Sequence, residues 1–270
     1  MRSLVFSVVL IMFCSSCGDY AKISKSKNPT LKFNKAVELY NKKTATNYGK
    51  ALTLLEQLRE IYKASDSMEQ VYYYTAYCHF GLKDYEYASM FFKDFTESFT
   101  RSKRAVECAY MAVYCDYLSI GTYELDQSNT KRVIGELQTF INYNPNSSYA
   151  LKCNEHIDVL RRKLQQKEYD MVVQYFEQGH YRAAAVSARN TLKSFPDMEQ
   201  KEELEFLTVK AQYLYALNSI EKKRLERMIE ALENYKEYVY INGKNGKYSH
   251  EAESLKNKIE TQLTKLKENI

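Results

Sequence analysis

Two segments of this chain, residues 72–92 and 171–196, share one spacing of aromatic, small and turn residues. In each, an apolar helical stretch leads to a turn, and alanine (Ala88 or Ala184) follows near the start of a second stretch. A helix–turn–helix unit of this kind cannot bury its apolar face alone, so neighbouring units must stack. The recurrence therefore limits the chain to an array of paired helices.

The second segment has the spacing of a tetratricopeptide repeat, a unit of about 34 residues. Gly179 lies at the turn, and Ala184 takes the small position where two helices cross. Tyr181 begins the second helix, and Pro196 ends the unit. Glycine suits a turn, alanine permits a close crossing, and proline stops a helix, so each residue fits its place.

Weaker copies over residues 48–55 and 133–145 extend the pattern along the chain. We predict an all-α, right-handed superhelical solenoid of about five tetratricopeptide repeats with a C-terminal capping helix. A long loop is expected over 119–129, and Ser249 is a candidate N-cap for the last helix. The predicted helix pairs are 31–43 with 48–63, 68–82 with 84–99, 103–118 with 130–143, 148–178 with 181–194, and 200–220 with 222–240, followed by a single helix over 248–267.

Composition agrees with an all-α chain that buries a core. The sequence has 8 glycines and 3 prolines, and 45% of its residues are hydrophobic. Sheets need more turn residues than this. The net charge of +5 is too small for a chain of this length to indicate a nucleic-acid partner.

The N-terminus has the features of a lipoprotein signal peptide. Leu4 to Phe13 is an apolar run behind Arg2, about half the roughly 20 residues that a spanning helix needs. The small pair Ser15-Ser16 before Cys17 suits peptidase cleavage. We predict a signal peptide over 1–16 and lipidation of Cys17. Cys14 departs from the aliphatic residue usual at its position, and the alternative is an ordinary secretory signal followed by an unmodified thiol.

The predicted mature chain has three parts. Residues 17–30 form a lipid-anchored tether, residues 31–240 the repeat domain (N-terminal repeats 31–144, C-terminal repeats 145–240), and residues 241–270 the capping helix. From Lys22 to Lys43, seven lysines face Glu38 as the only acid. This basic stretch fits either anionic head groups beside the anchor or a solvated leader.

No residue pattern indicates catalysis, a metal or a cofactor. The sequence lacks a glycine-rich phosphate loop, a Gly-x-Ser-x-Gly elbow and a His-Glu-x-x-His helix, so we predict no enzyme, no cofactor and no small-molecule substrate. The four histidines have no metal-ligand spacing. Cys78, Cys108, Cys115 and Cys153 are interpreted as small buried apolar residues, with one bridge from Cys78 to Cys115 as the alternative.

A tetratricopeptide array binds extended peptides on the concave surface formed by the first helix of each pair. Side chains spaced three and four residues apart share one face of such a helix. The alternative is that these rings pack against the adjacent repeat, as aromatic stripes usually do. The candidate peptide-binding residues are Gln70, Tyr73, Tyr77 and Phe80 in the second repeat, and Tyr169, Val173 and Phe176 in the fourth.

Several short motifs resemble the BamD (YfiO) family of outer-membrane assembly lipoproteins. The resemblance covers nearly the whole mature chain. It implies a lipoprotein of the β-barrel assembly machinery, anchored in the outer membrane and facing the periplasm. The motifs are Cys-Ser-Ser-Cys-Gly at residues 14–18, Asp84-Tyr85 through Phe92, Leu125-Asp126-Gln127, Gln138 with Phe140 before Asn144-Pro145, and residues 221–227.

The same resemblance implies two kinds of partner. One is the barrel subunit BamA, and the other is unfolded outer-membrane proteins, recognised through their C-terminal segments. It also implies that the N-terminal repeats handle the client and the C-terminal repeats bind the machinery. No motif is specific enough to transfer individual contact residues. Two alternatives stay open: a repeat lipoprotein that serves another envelope machine, such as a secretin pilot or a cell-wall enzyme coordinator, and a glycan-binding surface lipoprotein.

Overall fold

The computed structural model describes residues 18–63, 65 and 67–268, and within these ranges the chain contains helices and no strand. The predicted signal peptide and Cys17 lie outside the described residues. The all-α prediction is confirmed. The helices are α1 (18–25), α2 (Pro29–Asn41), α3 (Ala45–Ile61), α4 (Ser67–Gly81), α5 (Tyr85–Ser98), α6 (Ala105–Leu118), α7 (Ser128–Tyr143), α8 (Tyr149–Glu177), α9 (Tyr181–Ser194), α10 (Lys201–Leu217), α11 (Glu221–Asn242) and α12 (Ser249–Glu268).

The helices pack in chain order, as in a helical-repeat solenoid, and fall into two compact units. Unit 1 contains the described residues up to Gly121 together with Ser128–Ile157, and unit 2 contains Thr122–Gln127 and the residues from Asp158 onward. Along the chain, the division between the units falls within α8, between Ile157 and Asp158.

Unit 1 stacks α2 to α7, each helix against the next. Its first core cluster buries leucines from α3, including Leu54, Leu55 and Leu58, against Ala36 of α2 and Val71 of α4. Each fully buried leucine contributes roughly 1.5–3 kcal/mol of transfer free energy. The regular apolar spacing of the sequence therefore produces the stacking that the repeat pattern predicts.

Local sequence signals set where these helices begin. The side chain of Asn28 accepts hydrogen bonds from the backbone N–H groups of Thr30 and Leu31 and caps α2, with Pro29 in its first turn. The hydroxyl of Thr44 accepts from the backbone N–H of Asn47 and caps α3. Both residue types are favoured N-caps because they satisfy N–H groups that have no partner within the helix.

The turn inside a helix pair uses a left-handed backbone in three pairs. Gly179 between α8 and α9 has φ +77°, as the repeat pattern predicts for glycine. Lys43 between α2 and α3 has φ +50°, and Lys83 between α4 and α5 has φ +62°. These lysines are strained at a position where glycine is not. Without glycine, these two turns carry no local signal for the left-handed residue.

In unit 2, α10 packs between α9 and α11, and α12 lies against α11. The main cluster buries Met228 and Tyr238 of α11 with Ile259 and Leu263 of α12. The apolar side of the last helix is thus covered, and its other side is charged. Among the described residues, no helix is both long and apolar enough to cross a membrane.

The loop before α7 has defined contacts. Gln127 is buried, and its side-chain amide donates to the backbone carbonyls of Thr122, Tyr123 and Leu125 at 3.1, 3.1 and 2.9 Å. Lys167 of α8 donates to the carbonyl of Leu125 as well. The predicted long loop is present, and one amide side chain organises it.

The N-terminal segment differs from the tether that we predicted for residues 17–30. Residues 18–25 form α1, and Tyr20 packs against the first core cluster. The Tyr20 hydroxyl donates to the carbonyl oxygen of Lys50 at 3.3 Å. The residues of α1 permit a helix, since no proline or glycine interrupts residues 19–28, and the contacts of Tyr20 with α3 and the first core cluster hold it in place.

All four cysteines of the described chain are free and buried. The alternative bridge from Cys78 to Cys115 is therefore absent. Burial raises the pKa of Cys78, Cys108 and Cys115 to about 12 and that of Cys153 to about 11. These thiols act as small apolar side chains and hold little thiolate at neutral pH.

Candidate peptide-binding surface

Aromatic side chains recur at matching positions on the first helices of successive pairs in unit 1. On α4, Tyr73 and Tyr77 are followed by Phe80, and on α6, Tyr110 and Tyr114 are followed by Tyr117. Both sets have the spacing i, i+4, i+7, which places three side chains on one helical face. The first set was predicted from the sequence and the second was missed, although the repeated spacing was the signal that could have found it.

Tyr73 and Tyr77 connect α4 to α6. The hydroxyl of Tyr73 donates to Oε1 of Glu107 at 3.1 Å, and the hydroxyl of Tyr77 donates to the same oxygen. The guanidinium of Arg104 lies 4.3 Å from the centre of the Tyr73 ring. Burial, together with the Glu107 carboxylate, raises the pKa of Tyr73 to about 12 and raises the pKa of Tyr77 as well. Both hydroxyls are therefore engaged in contacts between repeats.

Beyond Tyr77, a continuous row of rings crosses α4, α6 and the start of α8. Phe80 lies 6.2 Å from Tyr114, and Tyr114 lies 6.0 Å from Tyr117, measured between ring centres. The His156 ring stacks on Tyr117 at 4.2 Å and an angle of 25°. We call this row the aromatic strip; its members are Phe80, Tyr110, Tyr114, Tyr117, Tyr149 and His156.

The aromatic strip is partly exposed to solvent and has a cation beside it. Tyr110 is the buried member of the strip and stacks on Tyr149 at 4.4 Å, while the other members are partly exposed. The exposed Lys152 has its ammonium 5.7 Å from the centre of the Tyr149 ring. Burial lowers the pKa of His156, so its imidazole is neutral at neutral pH. The strip thus offers flat apolar faces next to one positive charge.

The second predicted patch lies in unit 2 and repeats the contact geometry of the first. The hydroxyl of Tyr169 donates to Oε1 of Glu203 at 2.8 Å across 34 residues, the same separation that joins Tyr73 to Glu107. The ammonium of Lys210 lies 5.1 Å from the Phe176 ring. Val173 is partly exposed, and Gln70 in unit 1 is exposed. The structure thus places these predicted residues on first helices, with Tyr169 tied to the neighbouring repeat.

Unit 2 also has a groove of about 390 Å³ between α9, α10 and α11. Leu192, Pro196 and Ile241 form its apolar part, and Arg189 and Lys193 supply positive charge. Ile241 is 46% exposed, so the groove presents an apolar side chain to solvent. This surface was not predicted from the sequence, because it combines residues from three helices.

Within the described ranges, no group of histidine, cysteine, aspartate and glutamate side chains is arranged to hold a metal ion. The surface features described above that could bind a ligand are the aromatic strip, the Lys152 ammonium beside it and the groove between α9, α10 and α11.

Paired helices with an aromatic surface on their first members define a helical-repeat protein. The family model of YfiO, described as an outer membrane lipoprotein, matches residues 26–229. The chain therefore belongs to the YfiO family of outer membrane lipoproteins, the family of BamD. The match begins just before α2 and ends within α11, so it includes both candidate patches. No curated protein matches the chain.

Proposed function

We propose that this protein is a non-enzymatic component of the outer-membrane β-barrel assembly machinery. Family membership and the helical repeats support this function. Lipidation of Cys17 would anchor the chain in the outer membrane, on the periplasmic side. Several acyl chains hold a protein on a membrane where a single chain barely does.

In this proposal, the aromatic strip of unit 1 receives the C-terminal segment of an unfolded outer-membrane protein. A barrel strand alternates apolar and polar residues, and aromatic residues flank its apolar band. A segment that ends in an aromatic residue also ends in a carboxylate. The single observation that carries the proposal is the strip itself, where rings that can stack on an aromatic side chain lie beside the Lys152 ammonium.

A peptide-binding measurement tests this assignment. The probe is a short peptide that ends in an aromatic residue with a free carboxylate, and the variant is Tyr114→Ala with Tyr117→Ala. We expect the affinity to fall roughly tenfold or more, because truncating aromatic anchors commonly costs over 1 kcal/mol each. The matched control is Tyr143→Ala, since Tyr143 is 83% exposed and lies outside the strip.

Circular dichroism checks that the helices are retained in both variants. Equal affinity of the double variant and the unmodified chain would contradict a role of the strip. An amidated peptide separates the charge from the rings: it should bind more weakly to the unmodified chain, and Lys152→Gln should remove that difference.

The barrel subunit, a BamA-like protein, is the second proposed partner, and we assign its contact to the C-terminal repeats. The groove between α9, α10 and α11 supports this assignment, because its apolar wall and exposed Ile241 suit a protein contact. Under this proposal, the unfolded outer-membrane protein and the barrel subunit bind different surfaces of the chain.

A further inference from the structure

Helix α1 is separated from α2 by three residues. Residues 26–28 form the turn between them, with the backbone N–H of Ser26 donating to the carbonyl of Ile23 at 3.0 Å. Tyr20, near the start of α1, then contacts Lys50 in the second turn of α3. Lys50 lies near the start of α3, so this contact places the N-terminal part of α1 at the side of the first repeat where α2 ends and α3 begins. The chain therefore enters the fold on that side.

Lysines are concentrated around this entry point. Lys22 is exposed on α1, and Lys42 and Lys43 are exposed in the turn between α2 and α3. The ammonium of Lys50 lies 5.4 Å from the centre of the Tyr20 ring. We call Lys22, Lys42, Lys43 and Lys50 the lysine collar.

Two acids are close to collar residues along the chain, Asp19 and Glu38, and they do not neutralise the collar. Asp19 is exposed at the start of α1. Glu38 is shared between Lys35 and Lys42, each at 2.9 Å, and hydrogen bonds from these ammonium groups lower its pKa. The four positive charges therefore exceed these two carboxylates, of which Glu38 is also shared with Lys35.

We propose that the lysine collar binds the anionic phospholipid head groups of the membrane that holds the lipid anchor. The proposal rests on the proposed lipidation of Cys17, which is bonded to the first described residue, Gly18. Because α1 is packed on unit 1 by Tyr20, acylation would place the collar at the membrane surface without a long tether. Lysines near an anionic surface are attracted over about one Debye length, so the collar would orient the first repeat against the bilayer.

Vesicle binding tests the collar without the acyl chains. The mature chain carrying Cys17→Ala is mixed with vesicles of phosphatidylcholine alone or with added phosphatidylglycerol, and the bound fraction is measured by sedimentation. We expect binding to the anionic vesicles only, weakened by added salt. The triple variant Lys22→Gln, Lys42→Gln and Lys43→Gln should lower the partition coefficient roughly tenfold or more. Lys50 is kept so that the Tyr20 contact stays.

The matched control removes the same charge from α12, where Lys258, Lys265 and Lys267 are exposed. Substituting these three with glutamine should leave most of the vesicle binding in place. Equal losses in both triple variants, or no preference for anionic vesicles, would overturn the proposal. Displacement by inorganic phosphate at constant ionic strength would also overturn it, since that indicates a site for a single phosphate. Failure here leaves the peptide measurement on the aromatic strip unaffected, so the two proposals fail separately.

Discussion

Glu107 holds two tyrosine hydroxyls of the preceding repeat through one carboxylate oxygen. Replacing Glu107 with alanine leaves both partly buried hydroxyls without that acceptor. We expect the free energy of unfolding to fall by about 1–3 kcal/mol, since an unsatisfied buried polar group costs about that much. Urea unfolding measures the change, and Glu155→Ala is the control because Glu155 is exposed. A loss no larger than that of the control would show that the contact adds nothing to stability.

Two glycines predict opposite effects of the same substitution. Gly179 has φ +77°, and the space that an added Cβ would enter is open, so alanine there suffers only backbone strain. Gly179→Ala should lower stability by about 1 kcal/mol. Gly135 lies inside α7, also with open space, so Gly135→Ala should raise stability by about 0.5–1 kcal/mol. Thermal or urea melts of the two variants distinguish these signs, and the same sign for both would refute the turn assignment.

Among the helices, α5, α6 and α7 meet at a charge cluster. Asp116 of α6 accepts from the Lys93 ammonium of α5 at 2.7 Å, and the guanidinium of Arg132 of α7 lies 3.5 Å from the same oxygen. Burial raises the pKa of Asp116, but the hydrogen bond from Lys93, the other hydrogen bonds of Asp116 and the positive charge of Lys93 together lower it by more. The pKa of Asp116 therefore lies below its ordinary value. The three helices are therefore joined by an ionised aspartate.

The lowered pKa of Asp116 determines how its contribution to the free energy of unfolding changes with pH. A carboxyl with a lower pKa in the folded chain adds stability above its ordinary pKa, near 3.9, and loses that contribution as pH falls through the folded value. Asp116→Asn should therefore cost about 1–3 kcal/mol at neutral pH. The difference from the unmodified chain should shrink in acid. Urea unfolding at several pH values measures it, and a difference that stays constant down to acid pH would contradict the cluster.

The helix positions were largely predictable from the sequence, because glycine and proline at helix ends and the spacing of apolar residues are local signals. Pro196 and Gly179 marked real ends, and α8 was predicted as one long helix. By contrast, α1 was missed because its stability depends on Tyr20 meeting Lys50, a contact between distant residues. The aromatic strip was found only in part for the same reason: Tyr117 and His156 come together through packing, and no local pattern joins them.

For the molecule as a whole, the groove of unit 2 leads to a prediction about assembly. Ile241→Glu places a charge on its exposed apolar wall. We expect this variant to fold and to bind the aromatic-ended peptide, while less of the barrel subunit purifies with it. The control is Tyr240→Glu, since Tyr240 is 90% exposed and does not line the groove. Full recovery of the barrel subunit with the Ile241→Glu variant would show that the barrel subunit does not bind at this groove.

Membership in a barrel-assembly machine is tested most directly by purifying the native protein from detergent-solubilised membranes and identifying what accompanies it. The family and the repeats lead us to expect a BamA-like outer-membrane barrel protein in a stable complex with this chain. Recovery of a secretin, of cell-wall enzymes or of a polysaccharide transporter, with no BamA-like protein, would contradict the proposed function.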